Sequence, residues 1–337
     1  GINGLGRIGR CVVRAIYETQ SDDIELVAVN GPADIATHVH LLKYDSVHGR
    51  FPFLVEASGD NLKIAGKSVK LFHHKDPTLI PWGELGVDYV LECTGTKADA
   101  EKHIAAGAKK VIISSPAEGV DSTIVYCVNN AALKKEHSVI SVGSCTTNAL
   151  APLAKVLNTL LGIEVGFMTT IHAYTGDQNL VDSSHKDLQR ARAAALSMIP
   201  STTGAAKTIG LILPELKGKL DGVSIRVPTA NVSLVDFTFT ASRNTTKEEI
   251  NSAFKKASNA EMAGVLSVSS EPLVSVDYTH TTESSTVDLG GTFVTGGRLV
   301  RVASWYDNEW GFSNRMLDTA VAFSKVSEKS KLESINN

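Results

Sequence analysis

The sequence contains few cysteines, and no two of them have the CxxC spacing of a metal or redox site. The four are Cys11, Cys93, Cys127 and Cys145, which are far apart and lie in or beside apolar stretches. Disulfide frameworks are typical of short secreted chains, and they are unlikely for cysteines in such apolar surroundings. We therefore expect a protein of a reducing compartment, without structural disulfides and without a metal site.

Long apolar runs and long runs of one charge are also missing. No apolar segment reaches the ~18 residues of a membrane span, and the first residues lack the pattern of a secretion signal. Basic residues never exceed a pair such as Lys109–Lys110, and the net charge is −3. Nucleic acids and anionic membranes select for denser basic patches. These absences predict a soluble, cytoplasmic protein that binds neither nucleic acid nor membrane.

The length and the pattern of apolar runs predict two domains. At 337 residues and 43% hydrophobic content, the chain is longer than one ordinary core requires. In its first part, β-branched runs alternate with helical segments, which is typical of a parallel sheet covered by helices. The predicted strands of this part are 24–30, 69–72, 89–93, 111–114 and 139–142.

After Cys145 the pattern changes to a helix at 148–161 and longer alternating strands, which favour a mixed or antiparallel sheet. These strands are predicted at 167–173, 222–227, 233–240, 273–278 and 299–306. We predict an α/β protein: a Rossmann-type doubly wound domain at 1–145, with a C-terminal helix at 313–330 packing back on it, and an α+β catalytic domain at 146–312. The polar stretch 174–203 is too long for a routine connection and suggests function or contact with a partner.

A glycine-rich turn opens the chain. Gly4, Gly6 and Gly9 form the pattern GxGxxG and are followed by a helical segment. Such glycines allow a pyrophosphate to approach the backbone, and a helix N-terminus favours its negative charge. Alone the pattern is weak, because glycine turns without a ligand are common. Since almost nothing precedes it, we expect most of the leading strand to lie before Gly1.

The second half of this dinucleotide pattern is altered. An acidic residue usually ends the second strand and binds the adenosine ribose hydroxyls. Here the predicted strand 24–30 is followed by Gly31. NAD then loses a contact, whereas the 2′-phosphate of NADP loses a repelling charge. The change therefore bears on the choice of cofactor more than on whether a dinucleotide binds.

Cys145 stands where a predicted strand gives way to a helix. A helix N-terminus stabilises a thiolate and can lower the pKa of a cysteine. A single cysteine is more often a small buried hydrophobic side chain, and that alternative applies here too. The hydroxyl neighbours Ser144 and Thr146, with His172 on the next strand, favour a nucleophile and its base.

Several segments give the sequence a family resemblance: NGLGRIGR at 3–10, SCTTN at 144–148, RVPT at 226–229 and WYDNE at 305–309. In order and spacing they resemble bacterial-type phosphorylating glyceraldehyde-3-phosphate dehydrogenases along essentially the whole chain. The resemblance implies a cytoplasmic homotetramer of carbohydrate metabolism, working in glycolysis or in the biosynthetic direction. It would oxidise glyceraldehyde 3-phosphate with NAD or NADP and inorganic phosphate to 1,3-bisphosphoglycerate, through a cysteine hemithioacetal and thioester.

The resemblance also implies roles for single residues. Cys145 would be the nucleophile and His172 the general base. Thr175 and Arg226 would hold the substrate phosphate. The inorganic phosphate site would be lined by Ser144, Thr146, Arg192, Thr203 and Gly204. The cofactor would be bound by Gly4, Gly6, Arg7, Ile8, Gly9, Gly31, Lys75, Ser114, Ser183, Ser184 and Asn308, the last fixing the nicotinamide carboxamide.

Ser183 and Ser184 stand where NAD-specific members of the family tend to have Leu-Pro. Together with Gly31, these serines predict dual cofactor use or a preference for NADP. The pair Val142–Gly143 is a second departure, since the family commonly has Asn-Ala before the serine that precedes the nucleophile, and we expect it to alter the rate.

Two other functions stay open. Erythrose-4-phosphate dehydrogenase resembles this chain at 40–51 and 82–95, although 173–176 and 201–204 look like the phosphate sites of the triose enzyme. A non-catalytic, moonlighting member of the fold would be expected to lack catalytic residues. Against that reading, Cys145, His172 and Arg226 are all present.

Overall fold

A computed structural model describes residues 1–95 and 99–335. The chain forms two compact units, one made of Gly1–Gly143 and the segment from Ser313 onward, the other of Ser144–Phe312. Within the described ranges, no helix combines the length and the apolar character needed to cross a bilayer.

The first unit is built around a mostly parallel sheet. Its strands are β1 (Ile2–Asn3), β2 (Ala28–Asn30), β3 (Tyr44–Asp45), β4 (Gly49–Arg50), β5 (Val55–Ser58), β6 (Asn61–Ile64), β7 (Lys67–Phe72), β8 (Tyr89–Glu92), β9 (Lys110–Ile113), β10 (Ser122–Thr123) and β11 (Val139–Ser141). Its helices are α1 (Arg7–Glu18), α2 (Ile35–Lys43) and α3 (Ala100–Ala105), with short 3-10 helices at Pro77–Leu79 and Asn130–Ala132. The sheet order is β10-β11-β9-β8-β1-β2-β7-β6-β5, in which β5, β6 and β7 pair antiparallel, while β3 and β4 form a separate hairpin.

The chain reverses its direction of travel across this sheet at β1. From β1 it passes through α1 to β2 on one side, and it later returns to β8 on the other side. In doubly wound sheets, ligands bind beyond the carboxyl ends of the strands at such a switch point. The loop after β1, which carries the glycine pattern, lies there.

Two glycines let this loop form. Gly4 has φ +96°, and a Cβ there would lie 2.8 Å from the amide nitrogen of Thr94. A Cβ on Gly9 would lie 1.8 Å from the carbonyl oxygen of Gly4, so only glycine lets α1 approach β1 this closely.

A buried polar network joins β1, β8 and α3. Asn3 Nδ2 donates to Glu92 Oε2 at 2.6 Å, and His103 Nε2 lies 2.8 Å from the same oxygen. Trp82 Nε1 donates to His103 Nδ1 at 3.0 Å, so the proton of the neutral ring belongs on Nε2, facing Glu92. Because the buried carboxylate is satisfied on several sides, the network holds the carboxyl ends of β1 and β8 together.

The second unit contains a mixed sheet. Its strands are β12 (Ile163–Ala173), β13 (Ile199–Thr202), β14 (Leu220–Val227), β15 (Ser233–Ala241), β16 (Leu266–Ser269), β17 (Ser285–Thr295) and β18 (Leu299–Tyr306), in the order β13-β14-β12-β15-β18-β17-β16. Its helices are α4 (Cys145–Leu161), α5 (Ala205–Ile212) and α6 (Lys247–Ser258), with 3-10 helices at Ala194–Leu196, Pro214–Leu216 and Ser275–Tyr278. Strands β12 and β14 pair parallel, whereas β12 and β15 pair antiparallel.

The last helix, α7 (Trp310–Ile335), begins beside a capping carboxylate. Asp307 Oδ1 accepts hydrogen bonds from the backbone N–H groups of Glu309 and Trp310, at 2.9 and 2.7 Å. Further along, the buried ring of Phe323 packs at 5.9 Å from the ring of Tyr89, with Lys110 Nζ 5.0 Å from its centroid. This part of α7 therefore contributes to the core of the first unit.

The predicted α/β fold class is confirmed, with a parallel-rich sheet in one unit and a mixed sheet in the other. The strand predicted at 273–278 is wrong. Asp277 Oδ2 accepts a hydrogen bond from Val274 N at 2.8 Å and closes a turn, so the 3-10 helix Ser275–Tyr278 forms instead. The strand predicted at 24–30 is also too long, because β2 begins only at Ala28.

Candidate active site

Cys145 is the first residue of α4, and Ser144 caps this helix. The Ser144 side chain accepts a hydrogen bond from Thr147 N at 3.0 Å. Gly143, just before the cap, has φ +70°, a left-handed conformation that glycine adopts without strain. The Val142–Gly143 departure therefore provides a backbone that can turn sharply into the helix.

His172 lies near the end of β12 and faces the thiol. Its Nε2 is 3.5 Å from Cys145 Sγ, and its Nδ1 is 2.6 Å from the carbonyl oxygen of Ala173. Since a carbonyl can only accept, we assign the ring proton to Nδ1. Nε2 then carries the lone pair and can take a proton from the thiol.

Arg226 comes from the neighbouring strand β14, whose parallel register pairs it with His172. Its Nη1 donates to the carbonyl oxygen of Ala173 at 3.1 Å and reaches Thr175 Oγ1 at 3.4 Å. Nη1 also lies 3.0 Å from His172 Nδ1, but a protonated Nδ1 cannot accept from it. Arg226 Nε is buried and has no hydrogen-bond partner among the residues that the structure describes, which suits an incoming anion.

Burial keeps the thiol and the imidazole neutral in this arrangement. It raises the pKa of Cys145, although Arg226 and the Thr146 side chain act in the opposite direction. Burial, assisted by the charge of Arg226, lowers the pKa of His172 to about 3. Desolvation therefore opposes the lowering of the cysteine pKa that a helix N-terminus can produce. The pair is a neutral thiol beside a neutral base.

Tyr306 belongs to this group and was not predicted from the sequence. Its hydroxyl lies 2.9 Å from Thr146 Oγ1 and 2.8 Å from Thr170 Oγ1, and its ring meets that of His172 edge-on at 5.9 Å. Burial raises the pKa of Tyr306, so it stays a neutral donor. Its position within the WYDNE segment was the available signal. It links the first turn of α4 to β12.

Asn308 follows β18 and is held by Ser233. The hydroxyl of Ser233 donates to Asn308 Oδ1 at 2.8 Å and accepts from the backbone N–H of Ala173 at 3.0 Å. This bond fixes the orientation of the Asn308 amide, which is the property needed to recognise another amide.

The residues assigned to the inorganic phosphate are spread over several elements. Ser144 and Thr146 are at the start of α4, whereas Thr203 and Gly204 precede α5, with Thr203 Oγ1 accepting from Ala205 N at 3.2 Å. Gly204 caps α5 without a side-chain hydrogen bond. Two helix N-termini therefore present backbone N–H groups, a common setting for anions.

Arg192 is not joined to this set by a hydrogen bond within the described chain. Its side chain is exposed and its Nε donates to Asp182 Oδ2 at 2.8 Å. Arg190 of the same stretch is less exposed and donates through Nε to Ser201 Oγ at 2.9 Å. Ser183 and Ser184 are also exposed in this stretch.

The residues predicted to bind a dinucleotide meet at one edge of the first unit's sheet. Gly4, Gly31, Lys75 and Ser114 each follow the carboxyl end of a parallel strand, β1, β2, β7 and β9 respectively. Parallel strands present these ends at the same edge.

The N-terminus of α1 fits a pyrophosphate. Gly6 caps it without a side-chain hydrogen bond, and a Cβ at Gly6 would meet nothing within 4 Å. The first turn contains no acidic residue, and Ile8 and Gly9 continue it. The Arg7 guanidinium is bound to Asp45, so Arg7 offers its backbone there rather than its charge. The open space at Gly6 and the lack of an acidic residue in the first turn agree with the dinucleotide prediction.

Comparison with known proteins agrees with both units. Residues 1–100 match the family described as glyceraldehyde 3-phosphate dehydrogenase, NAD binding domain, and residues 144–308 match the C-terminal domain of the same family. A glyceraldehyde-3-phosphate dehydrogenase of Xanthobacter flavus is 57% identical over 96% of this chain and 98% of its own. Enzymes of the same name from Cereibacter sphaeroides and Geobacillus stearothermophilus are each 55% identical, over 96% and 95% of this chain and 98% and 96% of their own.

The predicted family is thereby confirmed, and neither erythrose-4-phosphate dehydrogenase nor a non-catalytic protein is favoured by these relatives. With both domain models and nearly full-length relatives in agreement, the chain belongs to the glyceraldehyde 3-phosphate dehydrogenase family.

Proposed function

We propose that this chain oxidises glyceraldehyde 3-phosphate to 1,3-bisphosphoglycerate with inorganic phosphate and a nicotinamide dinucleotide. The observation that carries the proposal is the 3.5 Å approach of Cys145 Sγ to His172 Nε2, beside the partly unpaired guanidinium of Arg226. A thiol, a neutral base and an anion-binding cation next to each other suit covalent catalysis on a phosphorylated aldehyde.

The reaction begins with addition of the thiol to the aldehyde. Cys145 Sγ forms a bond to the carbonyl carbon, the C=O π bond breaks, and the thiol proton passes through His172 Nε2 to the oxygen, which gives a hemithioacetal. A dinucleotide held by the first unit would supply the oxidant, since its nicotinamide would accept a hydride from this carbon. His172 Nε2 removes the hydroxyl proton as the carbonyl re-forms, which leaves a thioester on Cys145.

Phosphate then releases the product. A thioester keeps its acyl group activated, so a phosphate oxygen can bond to the acyl carbon while the C–S bond breaks and the sulfur leaves as thiolate. The thiolate then takes back the proton held by His172 Nε2, and the proton of the attacking phosphate passes to solvent. We assign the substrate phosphate to Arg226 and Thr175. We assign the attacking phosphate to Ser144, Thr146, Thr203 and Gly204, with Arg192 reaching them after release from Asp182. Arginine suits both roles because its planar fork binds phosphate oxygens in pairs.

We propose that the first unit binds the dinucleotide and that NADP is used at least as well as NAD. The family description names NAD. In support of NADP, no carboxylate follows β2 at Gly31, and Ser183 and Ser184 are exposed hydroxyls. A hydrogen bond to a charged phosphate is worth about 1.5–3 kcal/mol, or one to two decades in affinity.

We further propose a homotetramer that acts in the cytoplasm. The stretch 174–203 exposes apolar side chains that an isolated chain would leave in water, namely Leu180, Val181, Leu188, Leu196 and Met198, which are 69–86% exposed. Such exposure is typical of a surface covered by another subunit. The four cysteines, all within the described residues, are thiols, which suits a reducing compartment.

The proposed function is tested with Cys145→Ser and a matched cysteine control, Cys127→Ser. We expect Cys145→Ser to lower kcat/KM for glyceraldehyde 3-phosphate by roughly 10³ or more, since the hydroxyl is a weaker nucleophile and a poorer leaving group. The control should keep its activity, and erythrose 4-phosphate should be the poorer substrate of the wild type. Substantial turnover by Cys145→Ser would refute the assignment.

Arg226→Ala serves as a second arm of the same experiment. It should lose about one to two decades of kcat/KM with glyceraldehyde 3-phosphate and little with unphosphorylated glyceraldehyde. Equal losses on the two aldehydes would mean that Arg226 positions His172 rather than binding phosphate.

A further inference from the structure

His38 is a buried histidine without a partner. It lies in α2, is 3% exposed, and neither ring nitrogen has a hydrogen-bond partner among the residues that the structure describes. The backbone of Gly31 is close enough to the ring to raise its pKa, although neither ring nitrogen meets it in hydrogen-bond geometry. Leaving a buried polar group unsatisfied destabilises the fold, so such a side chain requires an explanation.

The ring fills the space that a side chain at position 31 would occupy. A Cβ on Gly31 would lie 2.8 Å from both Cε1 and Nε2 of His38. On the other side, His73 Nδ1 lies 2.9 Å from the Gly31 carbonyl oxygen, and the two imidazole rings are nearly parallel with centroids 6.4 Å apart. Gly31 is therefore enclosed by two histidines, and its lack of a side chain is a condition for the position of His38.

This place has a defined role in a dinucleotide-binding sheet. The residue that follows the second strand is the one whose side chain contacts the 2′ position of the adenosine ribose. Here that residue is Gly31, after β2, and the side chain that occupies its space comes from His38. The polar side chain in that space is thus an imidazole in place of a carboxylate.

We propose that His38 is a specificity-determining residue that recognises the 2′-phosphate of NADP. The inference rests on the proposed dehydrogenase function and extends its cofactor preference to one side chain. An imidazole can donate to a phosphate oxygen and can become cationic beside it, whereas a carboxylate would repel the same group.

The charges around His38 agree with an anionic ligand. The groups that face it are His73, Arg10 and the carboxylate of Asp34, which is engaged in capping α2 through Thr37 N at 2.7 Å. Burial lowers the pKa of His38, with help from His73 and Arg10 and against the Gly31 backbone and Asp34, so the ring is neutral in the protein alone. A phosphate beside it favours the protonated ring. Binding of a 2′-phosphorylated ligand should therefore take up a proton and tighten as the pH falls from about 8 to 6.5.

The test uses adenine nucleotides that carry no nicotinamide, so binding is measured apart from catalysis. Calorimetry on the full chain compares 2′,5′-ADP with 5′-AMP in wild type, His38→Leu and the control His40→Leu, which removes an exposed imidazole from the same helix. We expect wild type and control to prefer 2′,5′-ADP at least about tenfold, and His38→Leu to lose most of that preference with AMP affinity unchanged. Proton uptake, measured in buffers of different ionisation enthalpy, should disappear with the ring.

A double substitution tests the link between His38 and Gly31. Gly31→Asp alone must displace the buried ring, so we expect a lower Tm and weaker binding of both nucleotides. Gly31→Asp with His38→Leu removes the clash, and we expect Tm to recover and the preference to move to AMP. If His38→Leu does not fold, His38→Asn provides the same comparison.

The outcomes separate the two proposals. A wild-type preference for 2′,5′-ADP that persists in His38→Leu would overturn the role of His38 and leave NADP use standing. A wild type that binds both nucleotides equally would overturn both. Activity on glyceraldehyde 3-phosphate, judged by the Cys145 variants, is independent of either result.

Discussion

At the scale of single residues, the site combines reactive groups with burial that keeps them uncharged. Arg226, partly unpaired, is the only member of the trio with Cys145 and His172 that carries a charge at neutral pH. A neutral thiol and a neutral imidazole cost less to bury than an ion pair.

The buried, neutral His172 should make the fold sensitive to acid. The folded state holds its pKa at about 3 and the unfolded state at its ordinary value of 6.5, so between these values the unfolded state binds more protons and stability falls as the pH falls. At about pH 5 the loss from this residue is about 2 kcal/mol. We expect His172→Gln to lose that much less stability than wild type between about pH 7.5 and 5.

Urea unfolding at the two pH values measures this difference, with His40→Gln as the control at an exposed histidine. An unchanged pH dependence in His172→Gln would show that the acid sensitivity arises elsewhere.

The sequence could identify some residues of the site and not others, for a physical reason. Cys145 and His172 were recognisable because their chemistry is rare and their neighbours are polar, and the structure brings Sγ and Nε2 to 3.5 Å. The roles of Tyr306 and His38 depend on contacts with residues that are distant in the sequence. Tyr306 meets Thr146 from 160 residues away, and no local pattern encodes that contact. A single histidine in a helix, such as His38, likewise gives no sign of its surroundings in the sequence.

At the scale of secondary-structure elements, buried strands were predictable and polar ones were not. β8 and β9 each contain consecutive buried apolar residues, because both faces of the parallel sheet are covered. β17 was not predicted, since its serine, threonine and glycine residues are also typical of loops. Pairing with β18 stabilises β17 as a strand despite its low strand propensity, and this pairing cannot be inferred from either segment alone.

The glycine loop before α1 offers a matched pair of substitutions. A methyl group at Gly6 meets open space, whereas one at Gly9 would lie 1.8 Å from a carbonyl oxygen. We expect Gly6→Ala to keep Tm nearly unchanged but to weaken dinucleotide binding, because the methyl group occupies the place of the pyrophosphate. Gly9→Ala should lower Tm by several degrees, since α1 must move away from β1.

Thermal unfolding and fluorescence titration with NADH distinguish the two effects. The interpretation fails if Gly6→Ala binds NADH as well as wild type, or if Gly9→Ala is as stable as wild type.

At the scale of the whole molecule, the second unit presents an apolar face to solvent. Val165, Phe167 and Leu299 are about half exposed and line a groove of about 710 Å³. The stretch 174–203 of the same unit exposes further apolar side chains, and exposed apolar surface is typical of an interface. In the proposed homotetramer, another copy of the chain would cover both surfaces.

A single charge in that groove should disrupt the assembly. We expect Phe167→Asp to convert the tetramer into smaller species, because an unpaired carboxylate would be buried at the contact. Leu79→Asp, at an exposed apolar side chain of the first unit, is the control. Light scattering coupled to size exclusion reports the mass. A wild-type monomer with full activity, or a Phe167→Asp tetramer, would contradict the proposal.

Enzyme activity depends on the register in which β12 pairs with β14. His172 and Arg226 stand opposite each other only in this register, and a slip of one residue would turn one of them to the other face of the sheet. The pairing joins segments 54 residues apart and belongs to the slow, non-local contacts of folding. A molecule that is compact and helical but has the wrong register between these two strands should be inactive. Enzyme activity therefore reports the fraction of chains with the native register, whereas circular dichroism reports only secondary structure.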